Sequence, residues 1–269
     1  MTARLFLHVM ATEAKKRLTY RVDFWLQAFV VFGVEALLAW AVWKAVFLES
    51  GSDRISGLDF TGAVLYQVTA ILSMKVVRGS EFSDQVSDDI YTGGYSRYLL
   101  YPLPYFGFKY AAQLGSQTPN VLQFVVFGTL APIVLSSAVI GVTPTGVLMA
   151  IPSLLVANLL YYVMSLALQG VAFWADNVWS LMVAQRLLSA VLGGALFPLA
   201  MLPDGARRVF DVLPFRYLYA DPIETILGRR DVVAWATGLL VALAWCAVFA
   251  LLGRLVFRRG RLSYSGVGI

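Results

Sequence analysis

The sequence predicts an all-α fold of the polytopic membrane kind, a single transmembrane domain over residues 1–269 with six transmembrane helices. Composition is the first reason: the chain is 59% hydrophobic and 14% charged, with a mean hydropathy of +0.72. A water-soluble domain with that little polar surface would aggregate. The second reason is length. Six apolar runs, approximately 22–48, 60–77, 121–140, 147–172, 178–202 and 232–257, each approach the roughly 18 residues that cross a ~30 Å hydrocarbon layer. The third reason is the placement of the 21 Lys and Arg. With the N-terminus inside, 12 fall on the cytoplasmic side, six on the outer side and three within spans. Cationic loops stay cytoplasmic, so both termini are expected there, in the cytoplasmic (inner) membrane. The net charge of +5 is met by anionic lipid, and no aromatic-basic patch asks for nucleic acid.

The first element is an amphipathic helix over 2–19, preceding the first span. Leu7, Met10, Ala14 and Leu18 fall near one face, and Arg4, His8, Thr12, Lys15 and Thr19 near another, the pattern of a helix lying on the inner leaflet. No cleavable signal is expected, because Lys15, Lys16 and Arg17 follow the short apolar stretch instead of preceding it. The first span must therefore direct insertion.

Between spans two and three lies the longest cytoplasmic connection, 78–105. Phe82, Val86 and Ile90 repeat every four residues, Glu81, Asp84, Asp88 and Asp89 occupy the other faces, and Gly93 with Gly94 ends the helix. Tyr98, Leu99 and Leu100 follow as an apolar knot before Pro102 and Pro104. Such a helix either presents its stripe to a partner or packs it on its own chain.

Between spans five and six the stretch 203–230 is cut by Pro203, Pro214 and Pro222, which cannot donate a backbone hydrogen bond. A first half-helix from Gly205 to Leu213 carries Ala206, Val209, Phe210 and Leu213 on one face. A second is expected to start at Asp221 as its cap, with Pro222 and Glu224 in the first turn and Gly228 at its end. Phe215, Tyr217 and Tyr219, lying between the two, suit the headgroup level. Together these pieces read as a broken, partly inserted cap on the outer side.

The order of these parts resembles the permease subunit of a type 2 ABC exporter. Ile90, Gly93, Gly94, Leu99, Leu100 and Pro102 between spans two and three, and Pro203, Pro214, Phe215, Pro222 and Gly228 between spans five and six, carry the likeness over nearly the whole chain. Tyr20, Arg21, Asp23 and Phe24 match the branch with a Tyr-Arg-x-Asp-Phe entry to the first span, while Tyr101 stands where many relatives have a basic residue. The resemblance implies a subunit that pairs with a second permease, identical or paralogous, and with two ABC ATPase subunits that bind ATP and Mg. It makes residues 2–19 an elbow helix and 78–105 a coupling region. Phe82, Asp84, Val86, Asp88, Asp89, Ile90, Gly93, Gly94, Tyr98, Leu99 and Leu100 would then face the ATPase. The outer stretch would be a re-entrant gate formed by Pro203, Val209, Phe210, Pro214, Phe215, Tyr217 and Pro222. No phosphate-binding GxxxxGK[ST] loop occurs in the chain, so ATP hydrolysis is expected on the partner.

Charges within spans are costly and need a reason. Glu35 lies near the middle of span one and Arg186 about eight residues into span five; they either pair with each other or line the route of a polar or cationic substrate. Lys44 and Lys75 lie nearer span ends, where snorkelling explains them. His8 is the one histidine and Cys246 the one cysteine, so neither metal chemistry nor a bound cofactor is expected in this chain. A secondary transporter would show internal repeats, and a membrane enzyme a convergent catalytic cluster; neither stands out. Apolar walls with a lone acid suit a lipid, a hydrophobic drug or an organic cation, whereas the related exporters also carry glycans.

Overall fold

The computed structural model describes residues 2–18, 21–79, 85–100, 104–134 and 142–264. Among them the chain is a helical bundle without strands. Tyr20, Phe82, Asp84 and residues 135–140 lie outside the described residues, as do the side chains of Arg21, Asp23, Phe24 and Leu99.

Helix α1 (Ala3–Leu18) precedes α2 (Arg21–Ser50), and α3 (Phe60–Arg78) returns beside it. Two short helices follow, α4 (Gln85–Tyr91) and α5 (Tyr95–Leu100), and then α6 (Tyr105–Ser116), which turns at Gln117 into α7 (Thr118–Val134). Helix α8 (Pro144–Gln169) ends in a single 3-10 turn, and α9 (Trp179–Leu192) leads into the broken segment with α10 (Asp204–Val212) and α11 (Ala220–Ile226). The last helix is α12 (Val232–Ser263). Local chemistry sets the starts of the long helices. Asp59 accepts from the Gly62 N–H (3.0 Å), Thr143 from Gly146 (3.0 Å) with Pro144 next, and Asp231 from Ala234 (2.7 Å).

Helix α3 is the hub. One of its faces enters a small core with Ala28 and Trp43 of α2 and Phe127 of α7, and Phe127 stacks on Phe32 at 4.1 Å. Its other face enters the main core, built by α8, α9, α11, α12 and the short helices α4 and α5. Helix α2 is peripheral and shows Leu26, Phe29, Val30, Val34, Leu37 and Leu38 on its surface. Among the described residues four helical stretches are long and apolar enough to cross a membrane: Ala28–Ser50, Phe60–Arg78, Pro144–Phe173 and Val232–Ser263.

One expected span differs, and another is described only in part. The run 178–202 is not one helix: α9 stops at Leu192, where Gly193 caps it and Gly194 takes φ +77°. Its 14 residues reach only ~21 Å at 1.5 Å per residue. The expected span 121–140 is described as far as Val134, within α7. Helix α6 lies in a stretch left unassigned between the coupling region and span three. Its Ala111, Ala112 and Gly115 are buried, and a side chain at Gly115 would collide with the Met10 carbonyl and come within 2.9 Å of Glu13 Cβ. These small residues let α1 lie against α6. The covered side of α1 therefore includes Phe6, Met10 and Glu13, while Leu7, expected on the apolar face, is 56% exposed.

Candidate functional site: a loop platform, a broken cap and the helix between them

Helices α4 and α5 sit at one end of the bundle with the last turn of α3, the 3-10 turn after α8 and the C-terminal part of α12; this is the loop end. Tyr95 is the pivot, touching the rings of Tyr105 (4.9 Å), Phe173 (5.7 Å) and Tyr264 (5.7 Å) edge-on. The expected docking stripe is corrected here. Val86 and Ile90 are 3% and 4% exposed and belong to the main core of this chain. Gln169, at the end of α8, explains the attachment, since its Oε1 accepts from the Val86 N–H (2.9 Å) and the Ser87 N–H (3.2 Å). A side chain from another helix thus satisfies the first free donors of α4.

An ion pair fastens the other side of α4. Lys109 Nζ lies 2.6 Å from Asp89 Oδ2 with both side chains largely buried, and the Tyr105 hydroxyl donates to the same oxygen at 2.6 Å. Burial and the neighbouring carboxylate push the Tyr105 phenol well above its usual range, so the donor proton stays on tyrosine. Lys109 also lies over the Tyr98 ring at 5.2 Å. Gly93 takes φ +74° and ends the helix, and Gly94 is buried behind it. Asp88, Thr92, Arg97 and Leu100 face outward, Leu100 at 85% exposure. Among the described residues the outward surface of the platform is therefore a mixture of charge and one leucine, with Val86 and Ile90 turned inward.

At the opposite end, the cap end, the broken segment is bound back onto α3. The Tyr66 hydroxyl donates to the Gly194 carbonyl (2.7 Å), Gln67 Nε2 to the Ala195 carbonyl (3.0 Å), and the Ala220 N–H to the Gly193 carbonyl (2.9 Å). These three bonds satisfy backbone left open by the break. Tyr66 lies six residues into α3, so the break sits ~9 Å along that helix from its start.

The second half-helix differs from expectation. It starts at Ala220, and Asp221 is not its side-chain cap but a buried partner of Arg230, 2.6 Å from Nη2. Glu224 accepts from Arg216 (3.1 Å) and Arg230 (3.4 Å), and Arg216 also pairs with Asp211. Two buried guanidinium groups hold these carboxylates more strongly than backbone N–H donors would. Of the expected gate residues, Pro214, Tyr217 and Pro222 are buried, Phe210 and Phe215 partly so, while Pro203 and Val209 are exposed. Tyr217 donates to the Asp211 carbonyl at 2.7 Å, and Trp245 of α12 to the Val212 carbonyl at 3.0 Å.

Glu35 and Arg186 do not pair. Glu35 Oε2 lies 2.6 Å from Lys75 Nζ, and Lys75 is in the last turn of α3. The acid is therefore held near the loop end, not midway between the ends as its place in α2 suggested. Its partner was legible only as a snorkelling lysine, because nothing in the sequence aligns α2 with α3. Arg186 lies on α9, where its carbonyl accepts from Arg78 Nη2 at 3.2 Å. Among the described residues no cluster of His, Cys, Asp and Glu is arranged to hold a metal ion.

The family model of the ABC-2 family transporter protein matches residues 34–268. The chain belongs to that family. It is an ABC-2 type membrane component, an integral membrane protein of the transporter class. No curated protein matches the chain. The match begins within α2 and runs through the platform, the broken cap and α12, so every part of the site lies inside the family region of this ABC-2 protein.

Proposed function

We propose that this chain is the permease subunit of an ATP-driven exporter, working as a pair of permeases with two separate ABC ATPase subunits that bind ATP and Mg. The observation that carries this reading is the ABC-2 family match over 34–268. The loop platform is then cytoplasmic, as are both termini, and the broken cap faces outward across the inner membrane. Charge counting supports that orientation. Six passages across the membrane remain part of the reading, the fifth made by α9 together with the re-entrant cap, because α9 alone is too short to cross.

In this reading the ATPase meets the outward face of α4 and α5, at Asp88, Arg97 and Leu100, and Phe82, Asp84 and Leu99 are assigned to the same contact by the resemblance. Val86, Asp89, Ile90, Gly93, Gly94 and Tyr98 shape the platform from beneath. Pro203, Val209, Phe210, Pro214, Phe215, Tyr217 and Pro222 form the gate, stiffened by the Arg216 and Arg230 ion pairs. Glu35, with Lys75, and Arg186 are assigned to the substrate route, which suits a lipid, a hydrophobic drug or an organic cation. ATP binding would draw the two ATPases together and bias the permeases between two states.

Co-purification tests the reading. An ATPase subunit is expected to be retained by the tagged wild-type chain and lost with Arg97→Glu or Leu100→Asp, both exposed positions whose replacement leaves the core intact. A wild-type chain that purifies from its native membrane with no ATPase refutes the assignment.

A further inference from the structure

Arg78 is the last residue of α3, and a helical side chain leans toward the start of its own helix. Its guanidinium therefore points into the bundle, toward the cap end, and not into the loop that follows. There it meets two other elements. Nε donates to the Tyr219 hydroxyl at 3.1 Å, Nη2 donates to the Arg186 carbonyl at 3.2 Å, and the guanidinium carbon lies 5.9 Å from the centre of the Tyr219 ring. Tyr219 is fully buried and belongs to the broken segment, next to the chain break, since a side chain at Gly193 would come within 2.7 Å of its ring. One cation thus joins the loop end of α3, the middle of α9 and a fully buried residue of the cap.

Both ends of this connection are fixed. At the α3 end, Asn158 of α8 donates to the Val76 and Val77 carbonyls (3.1 Å each), and Asn120 of α7 to the Lys75 carbonyl (3.2 Å). Arg78 also lines a small polar cavity with Val86 of α4, Lys109 and Gln169, so the platform lies against its other side. At the cap end, Tyr219 sits between the Arg216 ion pairs and the Ala220 bond to Gly193. The Arg78 guanidinium is partly buried, and a cation so placed that loses its acceptors without water in exchange is costly. The cap cannot leave its place while the end of α3 stays, unless those bonds break.

We propose that Arg78 is the positioning residue through which a displacement of the loop platform reaches the broken cap, with the Tyr219 hydroxyl as its contact. This rests on the exporter reading above and adds a specific route to it: platform, end of α3, Arg78, Tyr219, gate. Lys75, one turn back on the same helix, is not on the route because it faces Glu35 of α2.

The test uses the complete complex of permease and ATPase in nanodiscs, with single cysteines at Thr92 and Val209, both exposed, and Cys246 replaced by alanine. Maleimide labelling is measured at each site with and without ATP and vanadate. In the otherwise wild-type complex, nucleotide is expected to change labelling at both sites, by about five- to 150-fold for ordinary allosteric coupling. In Tyr219→Phe and in Arg78→Gln, the Thr92 site keeps its response while the Val209 response falls to less than about twofold, below that range. The double variant is expected to match either single one, and Arg78→Lys to restore part of the response. A Val209 response that survives in Tyr219→Phe, with the Thr92 response intact, overturns the route alone. A complex in which neither site responds to nucleotide overturns the exporter reading and the route with it.

Discussion

Lys109→Met removes the cation from beneath α4 while keeping the bulk of its side chain. Asp89 would then hold a carboxylate with 20% of its side chain exposed and only the Tyr105 hydroxyl left from its present partners. Breaking a buried pair from one side costs ~3–5 kcal/mol; with partial exposure and one remaining hydrogen bond, about 2–4 kcal/mol is expected. The loss falls on the attachment of α4, since α4 carries Asp89 and α6 carries Lys109. Ser87, on α4 and 2% exposed, reports it directly. With Ser87→Cys in a background lacking Cys246, thiol labelling proceeds through opening of α4. The predicted cost speeds labelling about 30- to 700-fold at 1.4 kcal/mol per tenfold. Adding Asp89→Asn should recover part of the loss, because the double variant leaves no lone charge. The reasoning is refuted if Lys109→Met changes the Ser87→Cys labelling rate by less than about threefold, a difference of under 1 kcal/mol.

Three further outcomes follow from the same contacts. Gln169→Leu leaves the Val86 and Ser87 N–H groups without their acceptor, at about 1–3 kcal/mol for each buried orphan; faster labelling of Ser87→Cys is expected, whereas Gln169→Glu, which keeps an acceptor, should stay near wild type. Gly115→Ala places a methyl group against the Met10 carbonyl, an overpacking cost of about 1–3 kcal/mol, and should free α1 to proteolysis while the thermal midpoint of the bundle holds; an unchanged cleavage rate counts against the close approach. Asp221→Ala leaves Arg230 with Glu224 as its one remaining carboxylate among the described residues, and breaking a buried pair from one side costs ~3–5 kcal/mol; a lower thermal midpoint is expected, and an unchanged one counts against the pair.

The membrane class was legible because apolar composition acts over the whole chain and needs no partner residue to be read. Helix punctuation was legible in the same local way: Asp59, Thr143 with Pro144, and Asp231 act through bonds three residues on. What escaped were choices settled by residues distant in sequence. Val86 and Ile90 form an amphipathic stripe, but only Gln169, 83 residues from Val86, determines that the stripe turns inward. Asp221 has the residue type and position of a helix cap, yet Arg230 and the wall of α12 at Gly238 make it a buried ion-pair partner. Span five was drawn too long because apolar residues continue past Leu192, and hydropathy does not register the glycines at 193 and 194 that end the helix. Helix α6 was missed because small residues and one lysine give a weak apolar period, although they are what α1 requires to approach.

The broken helix and the partly buried cation answer one another. A helix that stops short of the far side of a membrane leaves carbonyl and N–H groups open at a depth where water is scarce, and this is tolerated only where other protein groups take them up. Here α3 supplies Tyr66 and Gln67 for the carbonyls at the break, and further along Arg78 adds bonds to the Tyr219 hydroxyl and to the Arg186 carbonyl within α9. Because one rigid helix holds all of these contacts, the cap is referenced to α3 and not to its own sequence neighbours. A shift of α3 along its axis would move all three side chains together, so in the exporter reading the gate would open as a unit or not at all. Independent loosening of the cap in a Tyr66→Phe variant, with Arg78 still bonded to Tyr219, would show instead that the contacts act singly.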